Sequence, residues 1–345
     1  MSADGSGARV DVDAGGIAQS VGTGLLPEGA RIGRMLAEAH AHAARHHEGR
    51  VADYIPVLAA ADPEAFGLCV VGVDGVRHEV GQTATRFSIQ SISKAFVYAL
   101  VVDHLGHGRV REVVGVNNTG LAFNSLIAIE LHDGHPRNPM VNAGAIATTA
   151  LMPGADPDAQ WEAVREGLSR FAGRPLAVDD EVYRSESETN QRNRAIGQLI
   201  HSYGRIERRP ADVVDVYTRQ CALSVDTVDL AVMAATLADG GVNPVTGERV
   251  VSAEACRDTL AVLATSGLYE TSGDWMFEIG LPGKSGVAGG LITVAPGKVG
   301  MASYAPRLDA AGNSVRGQIA AAYLSRVLGL NIFASAPYAS GLPPR

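Results

Sequence analysis

The sequence predicts an α+β protein in which one mixed, mostly antiparallel sheet is assembled from the two ends of the chain and a helical domain is inserted between them. Three observations carry this expectation: β-prone runs within 66–80, β-prone runs again within 291–304, and a long stretch between them whose apolar residues recur at helical spacing. Strands and helices do not alternate regularly, and neither GxGxxG nor GxxxxGKS/T occurs, so a nucleotide-binding α/β fold is not expected.

Residues 1–28 are rich in Gly, Ser, Ala and Asp without a sustained period and read as a tail, placed at 1–30 in the domain division. Over 31–47, Ile32, Met35, Leu36 and Ala39 fall at helical spacing, followed by His40, His42, His46 and His47. Those histidines match no metal pattern such as HExxH and read as a solvated helix end. The runs 66–73 (FGLCVVGV) and 76–80 (VRHEV) flank Asp74-Gly75, which predicts a type I′ hairpin. Helical patterning covers 94–105, 159–171, 193–203, 211–221, 228–238 and 253–265, with Gly240-Gly241 as a stop and Ser252 as an N-cap. Strand patterning returns at 291–295 and 298–304 around Pro296-Gly297, and a last helix fits 315–328. The expected division is a split sheet unit (31–90 and 267–335), a helical unit (91–266) and a C-terminal tail (336–345).

Of 345 residues, 46% are hydrophobic and 19% charged, which suits a packed core and excludes a disordered or collagen-like chain. A net charge of -8 without any polybasic run offers no field for a nucleic-acid backbone, so no nucleic-acid partner is expected. Cys69, Cys221 and Cys256 are too few and too widely spaced for a disulfide framework or a zinc site, which fits a reducing cytoplasm. No uncharged apolar run approaches the roughly 18 residues of a membrane helix, and the N-terminus lacks a basic-then-apolar export pattern, so no membrane partner is expected.

Chemistry enters at Ser91-Ile92-Ser93-Lys94, at the start of a predicted helix. Residues three apart share a helix face, so Lys94 can reach the Ser91 hydroxyl. A serine is a poor nucleophile until a base takes its proton, and a lysine partly stripped of water holds a lowered pKa and can do so. By itself the pattern reads sooner as a helix cap followed by a surface lysine. A second motif, Lys284-Ser285-Gly286, precedes the C-terminal strand pair; Lys-Ser/Thr-Gly accompanies Ser-x-x-Lys in the β-lactamase and penicillin-binding class. Small residues there let backbone N–H groups approach an acyl group, so the amides of Ser91 and Val287 can form an oxyanion hole. The third motif of that class, Ser/Tyr-x-Asn, is absent, which argues against a peptidoglycan or β-lactam substrate. Asn142 follows the turn at Asn138-Pro139, and Glu186 and Asn193 flank a helix start. Facing an amino acid, Glu186 can pair with the ammonium while Asn142 and Asn193 bind the carboxylate; without a ligand these are capped, solvated loops.

These blocks, together with 51–56 (VADYIP), 217–223, 267–269, 307–309 (RLD) and 312–315 (GNSV), resemble the serine-dependent glutaminases, a family with a β-lactamase-like fold shared by bacterial enzymes and the animal kidney and liver enzymes. The resemblance spans 31–335. It implies hydrolysis of the side-chain amide of L-glutamine to L-glutamate and ammonia, with Ser91 as nucleophile and Lys94 as its activating partner. It places Tyr54, Gln90, Asn142, Glu186, Asn193, Tyr217, Tyr269 and the Val287 backbone around the substrate. Tyr269 is implied to lie beside the serine and shuttle its proton, which leaves the base role open between Lys94 and Tyr269. No metal and no organic cofactor is implied, and His104-x-x-His107 and His132-x-x-His135 lack a catalytic metal context. A homodimer or homotetramer is implied. Leu199 stands where the animal enzymes carry a tyrosine, and no counterpart of their long N-terminal region or ankyrin repeats is found, so phosphate activation and filament formation are not carried over. Two other readings stay open: a penicillin-interacting acyl transferase, and a catalytically silent glutamine- or glutamate-binding module. Glutamine and asparagine differ by one methylene, worth about 1–3 kcal/mol in a pocket, so side activity on asparagine stays open as well.

Overall fold

The structure, a computed structural model, describes residues 26–335. Residues 1–25 and 336–345, the greater part of the two expected tails, lie outside the described residues. Helix α1 (Gly29–Ala43) already begins inside the stretch assigned to the N-terminal tail. Its buried residues Ile32, Leu36, Ala39 and Ala43 form one stripe, and it stops before His46 and His47.

Strands β1 (Gly67–Gly72) and β2 (Arg77–Gly81) pair antiparallel, but their connection is not type I′. That turn needs positive φ at both central residues, and here Gly75 has it (79°) while Asp74 does not. The Gly75 N–H returns to the Gly72 carbonyl at 3.0 Å, and the Asp74 carboxylate accepts the Val76 N–H at 3.0 Å, which fixes a three-residue loop. Next come β3 (Phe87–Ser88), a 3₁₀ turn (Gln90–Ile92) and α2 (Ser93–Leu105). Helices α3 (His107–Val113), α4 (Ile127–Glu130), α5 (Asn142–Ala150), α6 (Pro157–Ala172), α7 (Asp180–Thr189), α8 (Gln191–Ser202) and α9 (Pro210–Cys221) follow. Strand β4 (Ser224–Val225) pairs with β3 and leads into α10 (Thr227–Ala238), α11 (Ala253–Ser266) and α12 (Ser272–Glu278). Strands β5 (Gly283–Ser285), β6 (Gly290–Ala295) and β7 (Val299–Tyr304) precede α13 (Val315–Val327). Ser252 caps α11 through the Ala255 N–H at 3.2 Å, as the sequence predicts.

The main sheet is antiparallel, in the order β2-β1-β7-β6-β5. Strand β1 pairs with β7 from Gly67↔Tyr304 to Gly72↔Val299, so the two ends of the chain meet at its centre. Alternate residues along these strands enter different cores. Cys69, Val71, Ile292 and Ala302 pack with Leu230, Ala231 and Met233 of α10, whereas Leu68, Val70, Leu291 and Met301 pack with α1 and α13. Helix α10 lies close to the sheet because Gly300 has no side chain: an added Cβ would meet the Ala235 nitrogen at 2.1 Å. A third core joins α5, α8 and α9 through Ile146, Ile196, Ile200, Val214 and Tyr217. Among the described residues, no helix is long and apolar enough to cross a membrane.

Candidate active site

The pairing of β3 with β4, with the Ile89 N–H on the Leu223 carbonyl at 2.8 Å, delivers the chain to the 3₁₀ turn from a fixed strand. Gln90 there has φ of 52°, a conformation that costs a non-glycine residue roughly 1–3 kcal/mol. Its side chain is held in place because Nε2 donates to Ser88 Oγ at 3.0 Å and also to Glu186 Oε1. Ser91 follows at the head of α2, and Lys94 stands one turn further on. They are 8% and 2% exposed.

The Lys94 Nζ lies 5.9, 6.0 and 5.8 Å from the ring centroids of Phe123, Tyr217 and Tyr269. It donates to the Met140 carbonyl at 3.2 Å and to Asn142 Oδ1 at 2.7 Å. Among the described residues no carboxylate forms an ion pair with it. Burial therefore prevails and lowers its pKa to about 7, which leaves much of it as free amine near neutrality. The Ser-x-x-Lys pattern is thus a buried pair and not a cap followed by a surface lysine.

Asn142 opens α5 after a turn built by Asn138, whose Oδ1 accepts the Met140 and Val141 N–H groups at 3.0 and 3.2 Å. Its own N–H donates to the Phe123 carbonyl at 2.8 Å, and its Nδ2 donates to Asn193 Oδ1 at 2.8 Å. Lys94, Asn142 and Asn193 therefore form one hydrogen-bonded chain. Gly144 makes this turn possible, because a Cβ there would fall 1.8 Å from the Asn138 carbonyl oxygen. Gly144→Ala is expected to lower stability by about 1–3 kcal/mol and to reduce activity with it. Thermal melting and ammonia release check this; an unchanged melting temperature would show that the close approach is dispensable.

Glu186 on α7 is buried, and that burial raises its carboxyl to about 7 against the opposing Gln90 hydrogen bond. Tyr217 on α9 is buried too, and its phenol is held well above its ordinary pKa by desolvation. Tyr269 is the second non-glycine residue of the site at positive φ, 59°. Its carbonyl accepts Asn118 Nδ2 at 2.8 Å and Ser272 Oγ at 2.7 Å, which pins the backbone. Its buried hydroxyl has no hydrogen-bond partner. Burial pushes that phenol up to about 12, while the hydroxyls of Ser91 and Ser285 approach closely enough to oppose the rise without closing a hydrogen bond in good geometry.

Strand β5 lies against the turn that carries Ser91. A Cβ on Gly286 would meet the Ile89 carbonyl oxygen at 3.0 Å and Gln90 Cβ at 3.3 Å, so Val287 follows directly beside the serine's turn. Val287, Tyr54 and Phe123 line an open cleft of about 820 Å³. Tyr54, 56% exposed, and Phe123 also wall a smaller pocket of about 220 Å³ that contains Asn142, Glu186 and Asn193. The expected residues are thus gathered as one cluster around Lys94 and Gln90, with Tyr54 and Val287 on its walls. Sequence reading did not single out Phe123, which sits in an aperiodic loop outside the quoted motifs, or Asn118, which holds Tyr269. Lys284 was visible only as part of a motif. Among the described residues, no group of three or more His, Cys, Asp or Glu is placed to hold a metal ion.

A sheet of this order with an inserted helical region, and Ser-x-x-Lys buried beside Lys-Ser-Gly, define an amide hydrolase of the β-lactamase-like fold. The glutaminase family profile matches residues 49–333. Glutaminase 2 of Yersinia pestis is 52% identical over 323 residues, 94% of this chain and 95% of that protein. Among solved structures, the probable glutaminase ybaS has a TM-score of 0.88 and 41% identity over 90% of this chain and 100% of its own. Mglu in its glutamate form has a TM-score of 0.84 and 38% identity, covering 89% of this chain and 71% of its own. The chain belongs to the glutaminase family of amidohydrolases.

Proposed function

We propose that the enzyme hydrolyses L-glutamine through a γ-glutamyl ester on Ser91. The observation that carries this reading is Lys94: a buried amine without a counter-charge, one helical turn from the serine and tied to Asn142. The Ser91 proton passes to Lys94, directly or by way of the Tyr269 hydroxyl, as Oγ bonds to the side-chain carbonyl carbon. The oxyanion is held by the Ser91 and Val287 N–H groups. When the intermediate collapses, the C–N bond breaks and the proton leaves with ammonia. Water, activated by the same base, then cleaves the ester to glutamate.

Glu186 takes the substrate ammonium and Asn142 and Asn193 its carboxylate, with Tyr54, Gln90 and Tyr217 completing the pocket. A related protein, Mglu, has a solved glutamate form, which supports a glutamyl ligand for this family. Removing one charged hydrogen-bond partner costs about 1.5–3 kcal/mol, so Glu186→Gln is expected to raise KM for glutamine about 10- to 100-fold with a smaller change in kcat. A KM unchanged in that variant would take the ammonium contact away from Glu186. The reading as a whole is tested by ammonia release from L-glutamine, L-asparagine and γ-glutamyl peptides. Glutamine is expected to be preferred, and glutamine binding without turnover would return the silent-binding reading.

Three further proposals accompany this one. Three buried free cysteines support a reducing, cytoplasmic setting. The family resemblance supports a homodimer or homotetramer, measurable by light scattering. The sheet unit (31–90 and 267–335) and the helical unit (91–266) are proposed as the domain division, with the cluster lying where they meet.

A further inference from the structure

Lys284 belongs to the Lys-Ser-Gly motif, yet it is 0% exposed and is not among the residues that wall the open cleft or the smaller pocket. Its Nζ donates to the Ser285 carbonyl at 2.9 Å and lies over the Tyr269 ring, 4.0 Å from the centroid, against 5.8 Å for Lys94. Among the described residues no carboxylate forms an ion pair with it. Burying an amine without a counter-charge is costly, so its retention points to a local use. Tyr269 supplies one. Its backbone is pinned at the carbonyl by Asn118 and Ser272, but its hydroxyl is tied to nothing. The phenolic oxygen lies on the axis about which the ring turns, so its position is set by the swing of the whole side chain about Cα–Cβ, which contacts on the ring face limit. The Ser285 hydroxyl donates its hydrogen to Asn313 Oδ1 at 2.5 Å, so it can only accept from the phenol, and that bond is not closed. The ring meets Phe123, 5.0 Å between centroids, and the Lys284 amine, with the Lys94 amine further off at 5.8 Å.

We propose that Lys284 is a positioning residue for Tyr269: its Nζ, anchored on the Ser285 carbonyl, bears on the ring face and holds the phenolic oxygen toward Ser91 during proton transfer. This rests on the reading that Tyr269 moves the serine's proton. An N–H of either a free amine or an ammonium makes such a contact, so the arrangement does not depend on the charge of Lys284.

The test compares L-glutamine kinetics and thermal melting for the full chain and for Lys284→Met, Lys284→Gln, Tyr269→Phe and the Lys284→Met/Tyr269→Phe double variant. Methionine keeps most of the stem's volume and removes the N–H groups. The expected result is a fall in kcat of about 10- to 100-fold in Lys284→Met, with little change in KM. In the Tyr269→Phe background the same substitution is expected to cost almost nothing more, because the hydroxyl it positions is already gone. Losses that multiply in the double variant would overturn the proposal and leave Tyr269 in the reaction. So would a rise in KM at unchanged kcat, or failure of both Lys284 variants to fold, which would make the lysine a structural group. A wild-type kcat in Tyr269→Phe would overturn the proton-transfer reading, and this proposal with it.

Discussion

Ser91→Ala is expected to reduce ammonia release from L-glutamine by about 10⁴- to 10⁶-fold while leaving the fold and the pocket intact, because loss of a nucleophile removes the whole covalent route and not one stabilising contact. The hydrogen bonds that hold the site run through Lys94, Asn142, Asn193, Gln90 and Glu186, and none of them needs the serine hydroxyl. Glutamine binding measured by calorimetry should therefore persist in the variant, with an unchanged melting temperature. Undiminished ammonia release would sink the nucleophile assignment, and so would the absence of a γ-glutamyl adduct on the Ser91 peptide of the acid-quenched wild-type enzyme.

Lys94→Met is expected to lower kcat by about 10²- to 10⁴-fold, the range for a general base, and to change the pH profile as well. Burial holds Lys94 at about 7 and Glu186 at about 7, and the proposed mechanism uses both in their deprotonated forms, one as base and the other as partner of the substrate ammonium. In the wild type kcat/KM should therefore rise with pH through about 7, more steeply than a single ionisation allows. Glu186→Gln should leave the shallower lysine limb, and Lys94→Met should leave the carboxylate limb. A wild-type profile already flat below that region would contradict the assignment of Lys94 as base.

The same two shifts act on stability. From about 7 up to 10.5 the unfolded chain binds the Lys94 proton and the folded one does not, so this group makes stability rise with pH across that window. From 4.5 up to about 7 the folded chain keeps the Glu186 proton and the unfolded one has lost it, so this group makes stability fall as pH rises. Both groups thus weaken the fold near neutral pH, where each is poised for the reaction. The left-handed backbone at Gln90 and Tyr269 adds strain on either side of the serine.

The elements that were legible in the sequence are those whose two faces meet different surroundings. Helix α6 shows its core stripe because Trp161, Val164, Leu168 and Phe171 are buried while its other face is wet. Helix α5 is absent from the helices the sequence predicts, because it is buried on nearly every side and its composition carries no period. Helix α7 is so polar that its segment read as a capped loop; it buries only Val182 and Glu186. The Asp-Gly turn differs from the expected type because the choice between turn types rests on a hydrogen bond from the Val76 N–H to the Asp74 carboxylate, which dipeptide preference does not contain.

By itself the sequence determined the α+β layout, the strands that come together from the two ends, and the serine and lysine one helical turn apart. All of these follow from spacing along the chain, where contacts between residues three or four apart repeat. The tertiary structure alone decided that Lys94 is buried without a counter-charge, that Glu186 reaches Gln90, that Asn142 links the lysine to Asn193, and that Lys284 lies over Tyr269. Each joins segments far apart in the chain, and desolvation is a sum over everything packed around a group, so a base near neutral pKa exists only once the helices and the sheet have closed around it.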